Sequence, residues 1–326
     1  MNLFKQITEM FSRELELRGR AFVNYEALAQ VEVKDMTIDG FPAKLFFNPA
    51  RVRSVMADVS PEALQKRACF LCPDGLEPLQ LTTVWDSPTG QTYFIRVNPF
   101  PIFNHHFTIS SSIHERQTFA PHMESMLHLA QAMPEMSIFY NGPMCGASAP
   151  DHMHFQAVPR HSMPIEDHFS TNYANAVLVQ ESDLQSHLTA LGKVLSMASI
   201  PENASQTGSL TAGASHTKEW EPRWNIISWY EPESSANVVS DLQGKARSTG
   251  AADLQPTGRS YNTIVFFRRE SRPQCFFAPE NERILFSPGT VEMGGVGIVA
   301  NRESFDRITP EVLRSMIQEV AQQSPI

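Results

Sequence analysis

Cysteine is scarce in this 326-residue chain: there are four, against 21 phenylalanines. That number excludes the dense disulfide framework of a small secreted domain. No apolar run is long enough to cross a bilayer, so no membrane partner is expected. Positive charge is in deficit as well. Lys and Arg total 26, Asp and Glu total 35, and the formal net charge is -9. Such a chain is a poor match for a nucleic-acid backbone, although one pocket inside it can still be locally basic. Neither Gly-x-Gly-x-x-Gly nor Gly-Lys-Ser/Thr occurs, which removes the Rossmann and P-loop readings. No segment repeats at solenoid spacing. After His216 there is no histidine at all.

What is present is ordinary for a globular protein: 42% hydrophobic and 19% charged residues. The length allows one large domain or two lobes. Near the start, Leu3, Phe4, Ile7, Met10, Phe11 and Leu15 recur at helical spacing among scattered charges. That predicts an amphipathic helix ending near Arg20 rather than a signal peptide. The expectation is therefore a cytoplasmic protein with reduced thiols. In that compartment a Cys-x-x-Cys pair reads as a metal or redox site before a disulfide.

Residues 21–58 read as short strands, and Ser60-Pro61-Glu62 as a helix start with Ser60 as cap. Strands are predicted at 80–85, 91–97, 105–112, 137–143 and 151–160, and helices at 119–133 and 182–199. Small polar stretches at 201–219 and 232–259 read as loops or a lobe boundary. Further strands are expected at 224–230, 262–269, 274–279, 284–289 and 296–301. A last helix at 310–322 is capped by Thr309 with Pro310 at its first position. Hairpins mixed with separated helices suggest an α+β fold.

The chemistry concentrates in His152-Met153-His154-Phe155-Gln156. On a strand His152, His154 and Gln156 share one face, and Met153 and Phe155 the other. By spacing alone the trio also fits an exposed polar edge strand. Its chemistry says more: a neutral imidazole is a good nucleophile toward phosphorus and, once nucleotidylated, a good leaving group. Gln156 can donate to a phosphate oxygen without adding charge. The small-residue turn Asn141 to Ser148 lets backbone N–H groups approach an anion. Cys69-Phe70-Leu71-Cys72 is the other signal, open to zinc, a redox pair or chance. Tetrahedral zinc needs two more ligands. His114 and His152 are candidates, but spacing does not select His114 over His105, His106 or His122.

CFLC, FTISSSIHERQTF and NGPMCGASAPDHMHFQ together resemble the galactose-1-phosphate uridylyltransferases of the histidine-triad superfamily. The resemblance covers roughly residues 60–160. It implies a structural zinc held by Cys69, Cys72, His114 and His152, with His154 as nucleophile. It also places Asn141 near the substrate phosphates and Asn98, in VNPF, at the nucleoside. There are departures. Met153 stands where the family has Pro, Phe155 where it has Gly, and its second, His-rich metal segment is missing. HMHFQA looks more like the motif of GDP-hexose phosphorylases, and the GAS at 146–148 resembles dinucleoside tetraphosphate phosphorylases. His106 falls where the superfamily has a histidine.

The expectation is thus a histidine-triad-like α+β fold of two lobes with mixed, mostly antiparallel sheets and flanking helices. Residues 1–200 would carry the zinc site and the His-x-His-x-Gln motif, and 220–326 would complete the pocket. His154 would attack the α-phosphorus of a nucleoside diphosphate sugar or a dinucleotide. Gln156 and the 145–149 turn would meet the developing charge. A sugar 1-phosphate or phosphate would then accept the nucleotide. Asn98, Asn141, Ala147, Ser148, Arg268 and Arg269 are the candidate substrate contacts. Arg268, Arg269 and Arg272 equally fit a solvated strand end, Glu292 equally fits a structural place, and Trp220, Trp224 and Trp229 read as core or lobe contacts. A homodimer is compatible with this reading. The rival readings are a dinucleoside polyphosphate phosphorylase, a nucleotide hydrolase and a non-catalytic nucleotide-binding zinc protein.

Overall fold

The computed structural model describes residues 2–56, 58–197, 221–233 and 258–322. The loop expected at 201–219, Trp220 and most of the 232–259 stretch lie outside the described residues. The first helix, Leu3–Glu16, is capped by Asn2, whose side chain accepts from Phe4 N at 2.8 Å. It buries Ile7, Met10 and Phe11 on one face. A second helix, Arg20–Glu26, follows where strand was expected. Ala21 and Tyr25, four apart, are its buried pair, so helical spacing outweighed the apolar run.

Strands β1 (Glu32–Ile38) and β2 (Phe41–Phe47) form a hairpin around Asp39 and Gly40, both at positive φ. Then come β3 (Thr83–Asp86), β4 (Thr92–Val97), β5 (Phe107–Ser111), β6 (Met136–Asn141) and β7 (His154–Pro159). The remainder are β8 (Ala176–Glu181), β9 (Trp224–Glu231), β10 (Ser260–Phe267) and β11 (Val296–Val299). The large sheet has eight strands in the order β3-β4-β5-β7-β6-β9-β10-β8, every neighbour antiparallel. A three-stranded sheet, β1-β2-β11, pairs β11 parallel to β2. The two strands from after residue 220, β9 and β10, lie side by side between β6 and β8, both from before residue 200. The architecture is α+β, with mostly antiparallel sheets and flanking helices.

Each face of the large sheet has its own core. On the first, Ile138, Tyr140, Met153, Phe155, Val265 and Phe267 meet the helices Leu3–Glu16, Met123–Ala132 and Leu184–Ser196. On the second, Phe139, Ile227, Ile264 and Phe266 meet the small sheet and the helix Pro310–Val320. β6 and β10 are buried on both faces, so apolar residues follow one another without alternation over Ile138 to Tyr140 and Ile264 to Phe267.

Two strands expected near the C-terminus do not form. Residues 274–276 make a 3-10 turn behind Pro273, and 284–289 run without a ladder partner. Ile284 and Phe286 are buried there, but Pro288 has no N–H to donate and Leu285 N is taken by Ser304 Oγ at 3.0 Å. β8 was not anticipated. It forms because β10 offers it an edge, pairing Tyr261 with Glu181 through Phe266 with Ala176. Among the described residues no helix is long and apolar enough to cross a membrane.

Candidate active site and metal cluster

The segment ahead of the large sheet brings the cysteines in. Ser60 caps the helix Pro61–Lys66 by accepting from Ala63 N at 3.3 Å, and the chain then turns through Cys69 to Gly75. Gly75 is required: a Cβ there would lie 2.0 Å from Cys69 O. His114 follows β5 and His152 precedes β7. The metal-ligating atoms of Cys69, Cys72, His114 and His152 all lie within 4.8 Å of one another. Cys69 Sγ is 3.3 Å from His152 Nδ1, and Cys72 Sγ is 3.2 Å from His114 Nδ1. Two sulfurs and two imidazole nitrogens at such separations suit one tetrahedral ion of the zinc type. His152 Nε2–H donates to Ser111 O at 2.9 Å, the kind of outer contact that orients a ligating imidazole. Burial pushes the Cys69 thiol up, but the His152 hydrogen bond and the Leu71 and Cys72 backbone outweigh it and hold the thiol near 6. The other histidines go elsewhere: His105 stacks on Phe11, His106 meets Gln156, and His122 meets Tyr93.

His154 stands two residues from this cluster in a different setting. It is 4% exposed and lines a cleft of about 460 Å³ on the second face of the large sheet. Its Nδ1–H donates to His152 O at 2.8 Å, which leaves the Nε2 lone pair as the ring's free reactive position. Burial pushes its pKa down to about 4, so the ring is neutral at pH 7. The register aligns Arg96, Thr108, Gln156 and Phe139 in one row across β4, β5, β7 and β6, and all four line the cleft.

Two amides flank His154, each with its oxygen already engaged. Gln156 Oε1 accepts from His106 Nε2–H at 2.8 Å and from Asn98 Nδ2 at 3.4 Å. His106 is fixed in that tautomer because its Nδ1 accepts from Ile102 N at 3.2 Å. Burial, with the charge of Arg51, pushes His106 down to about 3. Asn141 Oδ1 accepts from Asn225 Nδ2 at 2.9 Å and from both Thr290 N and Thr290 Oγ1 at 2.8 Å. Each amide therefore keeps its NH₂ as the group to offer the cleft that His154 also lines.

Ser148 and Asn98 line the cleft, and Ala147 is buried off its wall. Gly146, at φ +95°, lets the turn press on the 287–290 segment: a Cβ would lie 2.7 Å from Gly289 Cα. Arg268 and Arg269 do not line the cleft. Arg268 is fully buried and donates to Asn225 Oδ1 at 2.6 Å, Pro288 O at 3.0 Å, and Glu270 O and Ser271 O at 3.1 Å. It thus braces the loop and the Asn225–Asn141 contact from beneath. Arg269 reaches Glu319 O at 2.8 Å on an exposed surface. The arginines on the cleft are Arg20, Arg51, Arg67 and Arg96. Arg67 pairs with Asp151 at 2.5 Å, and Arg96 donates to Leu71 O at 2.8 Å, linking the cysteine turn to the cleft. Glu292 also lines it, accepting from Gly289 N at 2.8 Å. Sequence reasoning missed the cleft arginines and Gln117, whose side chain bonds the backbone of His154. No local spacing marks them.

A family model described as a domain of unknown function, DUF4922, matches residues 10–159. No curated protein matches the chain. Among solved structures, the fold is similar to that of a nucleotide phosphorylase. One such neighbour is yeast Ap4A phosphorylase. One crystal structure of it has a TM-score of 0.52 at 13% identity, covering 89% of this chain and 90% of that one. Its complex with Ap4A has a TM-score of 0.56 at 14% identity, covering 98% of each chain. Its complex with AMP has a TM-score of 0.50 at 13% identity, covering 94% of this chain and 96% of that one. At such identity the likeness is one of fold.

Proposed function

We propose that this chain is a nucleotidyltransferase working through a covalent nucleotidyl-His154, with phosphate as acceptor and a dinucleoside polyphosphate as donor. The observation that carries the reading is His154 itself: a buried neutral imidazole with Nδ1–H tied to His152 O, in a cleft flanked by two amide NH₂ groups. Nε2 attacks the donor's α-phosphorus. The N–P bond forms, the P–O bond to the leaving polyphosphate breaks, and the leaving oxygen keeps the electron pair. Nδ1 retains its proton, and the charge on the ring is met by the His152 carbonyl. A phosphate oxygen then attacks phosphorus, the N–P bond breaks, and the ring recovers its lone pair. No general acid is required, because a phosphate leaving group has a low pKa. Gln156 and Asn141 donate to the phosphoryl oxygens as charge develops. Ser148 and Asn98 contact substrate in this reading, and Arg268 and Arg269 do not.

Cys69, Cys72, His114 and His152 would hold zinc, which supplies structural bracing with no open coordination position. Those residues anchor the Arg67 side of the cleft to the start of β7. Four arginines on the cleft support a polyphosphate donor, as does the similarity of the fold to an Ap4A-bound phosphorylase. A nucleoside diphosphate hexose is the second reading, favoured by the Glu292 carboxyl on the cleft wall, which suits sugar hydroxyls.

The test supplies Ap4A and ADP-, GDP- and UDP-hexoses, with and without inorganic phosphate. With Ap4A and phosphate the expected products are ATP and ADP. Without acceptor, intact mass should rise by one nucleotidyl group, a nucleoside monophosphate less water. Nucleoside monophosphate released equally fast with or without phosphate would instead mean a hydrolase. No adduct and no turnover with any donor would leave a binding protein.

A further inference from the structure

We propose that Gln117 is the positioning residue of this site, holding His154 in its reactive orientation and tying it to the segment that carries His114. The inference rests on His154 being the nucleophile. β6 and β7 pair from Met136 with Pro159 up to Phe139 with Gln156, and there the ladder stops. Continued in register, the next like-facing pair would oppose Asn141 and His154, the two residues the cleft needs splayed apart. On its other side His154 stays paired, opposite Ser110 of β5. The backbone groups of His154 that face β6 thus have no strand to bond.

Gln117 fills that place. Its Nε2 donates to His154 O at 3.0 Å and to Asn141 O at 2.9 Å, and its Oε1 accepts from His154 N at 2.8 Å. All three side-chain groups are used, and the residue is 1% exposed. One primary amide stands in for a missing ladder step while holding the strands apart. The same segment is sewn to the chain before β7. Gln117 N donates to Pro150 O at 3.1 Å, and Met153 N donates to Glu115 O at 2.7 Å. Both peptide planes at His154 are fixed from a loop that begins three residues earlier at His114. Gln117 does not line the cleft, so it acts on the nucleophile and not on substrate.

The variants are Gln117→Met, which keeps volume and loses every side-chain hydrogen bond, and Gln117→Glu, which keeps an acceptor and loses both side-chain donors. Two readouts are taken on each. The first is the ¹⁵N spectrum of histidine-labelled protein without substrate. Wild type should show His154 with a protonated Nδ1 and a bare Nε2. Both variants should show that signature lost or averaged between tautomers. The second is the single-turnover rate of adduct formation, expected to fall about a hundred-fold, with AMP affinity and metal content unchanged. His154 ring signals identical to wild type in a folded variant would overturn the inference, and so would a rate loss matched by an equal loss of AMP affinity. Should wild type form no adduct, the nucleotidyl-transfer reading fails, and the ring spectrum still decides the role of Gln117. If Met at this position prevents folding, the Glu variant carries both measurements.

Discussion

Two histidines, two residues apart at the entry to β7, turn opposite ring nitrogens to their surroundings, one toward the Cys/His cluster that could hold a metal and one toward the cleft. His152 turns Nδ1 toward the sulfur of Cys69 and donates Nε2–H to Ser111 O. His154 donates Nδ1–H to His152 O and keeps Nε2 for the cleft. Ring chemistry is the same in both, and a backbone carbonyl chooses which nitrogen is left over. The acceptor placed behind an imidazole decides which ring nitrogen it presents.

The largest effect should separate the pair outright. His154→Ala should lower turnover by roughly a thousand-fold or more and abolish the adduct, while metal content and melting temperature stay near wild type. His152→Ala should do the reverse first: lose the metal, as read by elemental analysis, and lower Tm by roughly 5–10 °C. Equal metal content in the two variants would erase the contrast.

Next in size is the amide of Gln156, on the same face of β7 as His154. Gln156→Leu should lower kcat by about a hundred-fold, the loss of one donor to the developing charge, with no change in bound metal. An unchanged kcat with a raised KM would make Gln156 a ground-state contact only. Smaller again is His106→Phe, which frees Gln156 to flip its amide. About a tenfold loss in kcat is expected, less than removal of the amide itself. A loss as large as that of Gln156→Leu would mean that His106 acts directly.

The smallest effect lies outside both sites. Burial raises Glu14 to about 7 against the downward pull of the Leu81 N–H, from an ordinary value of 4.5. Between those values the folded chain holds a proton that the unfolded chain has released, so this group's contribution is complete below pH 4.5 and is lost as pH rises through 7. Glutamine does not titrate and can still accept from Leu81 N. The Tm of Glu14→Gln minus that of wild type should therefore grow from pH 5 to pH 8, with the adduct rate unaffected. A difference that is flat with pH would mean Glu14 is ionised in the fold.

Much of this was legible in the chain. The alternation of DHMHFQAVPR put Met153 and Phe155 in the core and left His154 and Gln156 on the other face, and the caps Ser60 and Thr309 marked helix starts. The apolar runs at 274–279 and 284–289 misled, because an apolar segment can be buried without a ladder partner. Arg268 misled for a related reason. A strand-end arginine looks the same in sequence whether it faces a phosphate or lies under a loop with four oxygen acceptors.

Local sequence marks the residues able to do chemistry and the period that sorts them by face, because side-chain direction follows the backbone locally. Which of them meet depends on contacts across the fold. His114 was chosen over three other histidines when β5 and β7 paired and placed it against Cys72. Gln117 reached Asn141 and His154 across 24 and 37 residues of chain. His106, by fixing Gln156 Oε1, decided which end of that amide faces the cleft. These are contacts between groups far apart in sequence, set by strand register and close packing, and no local periodicity encodes them.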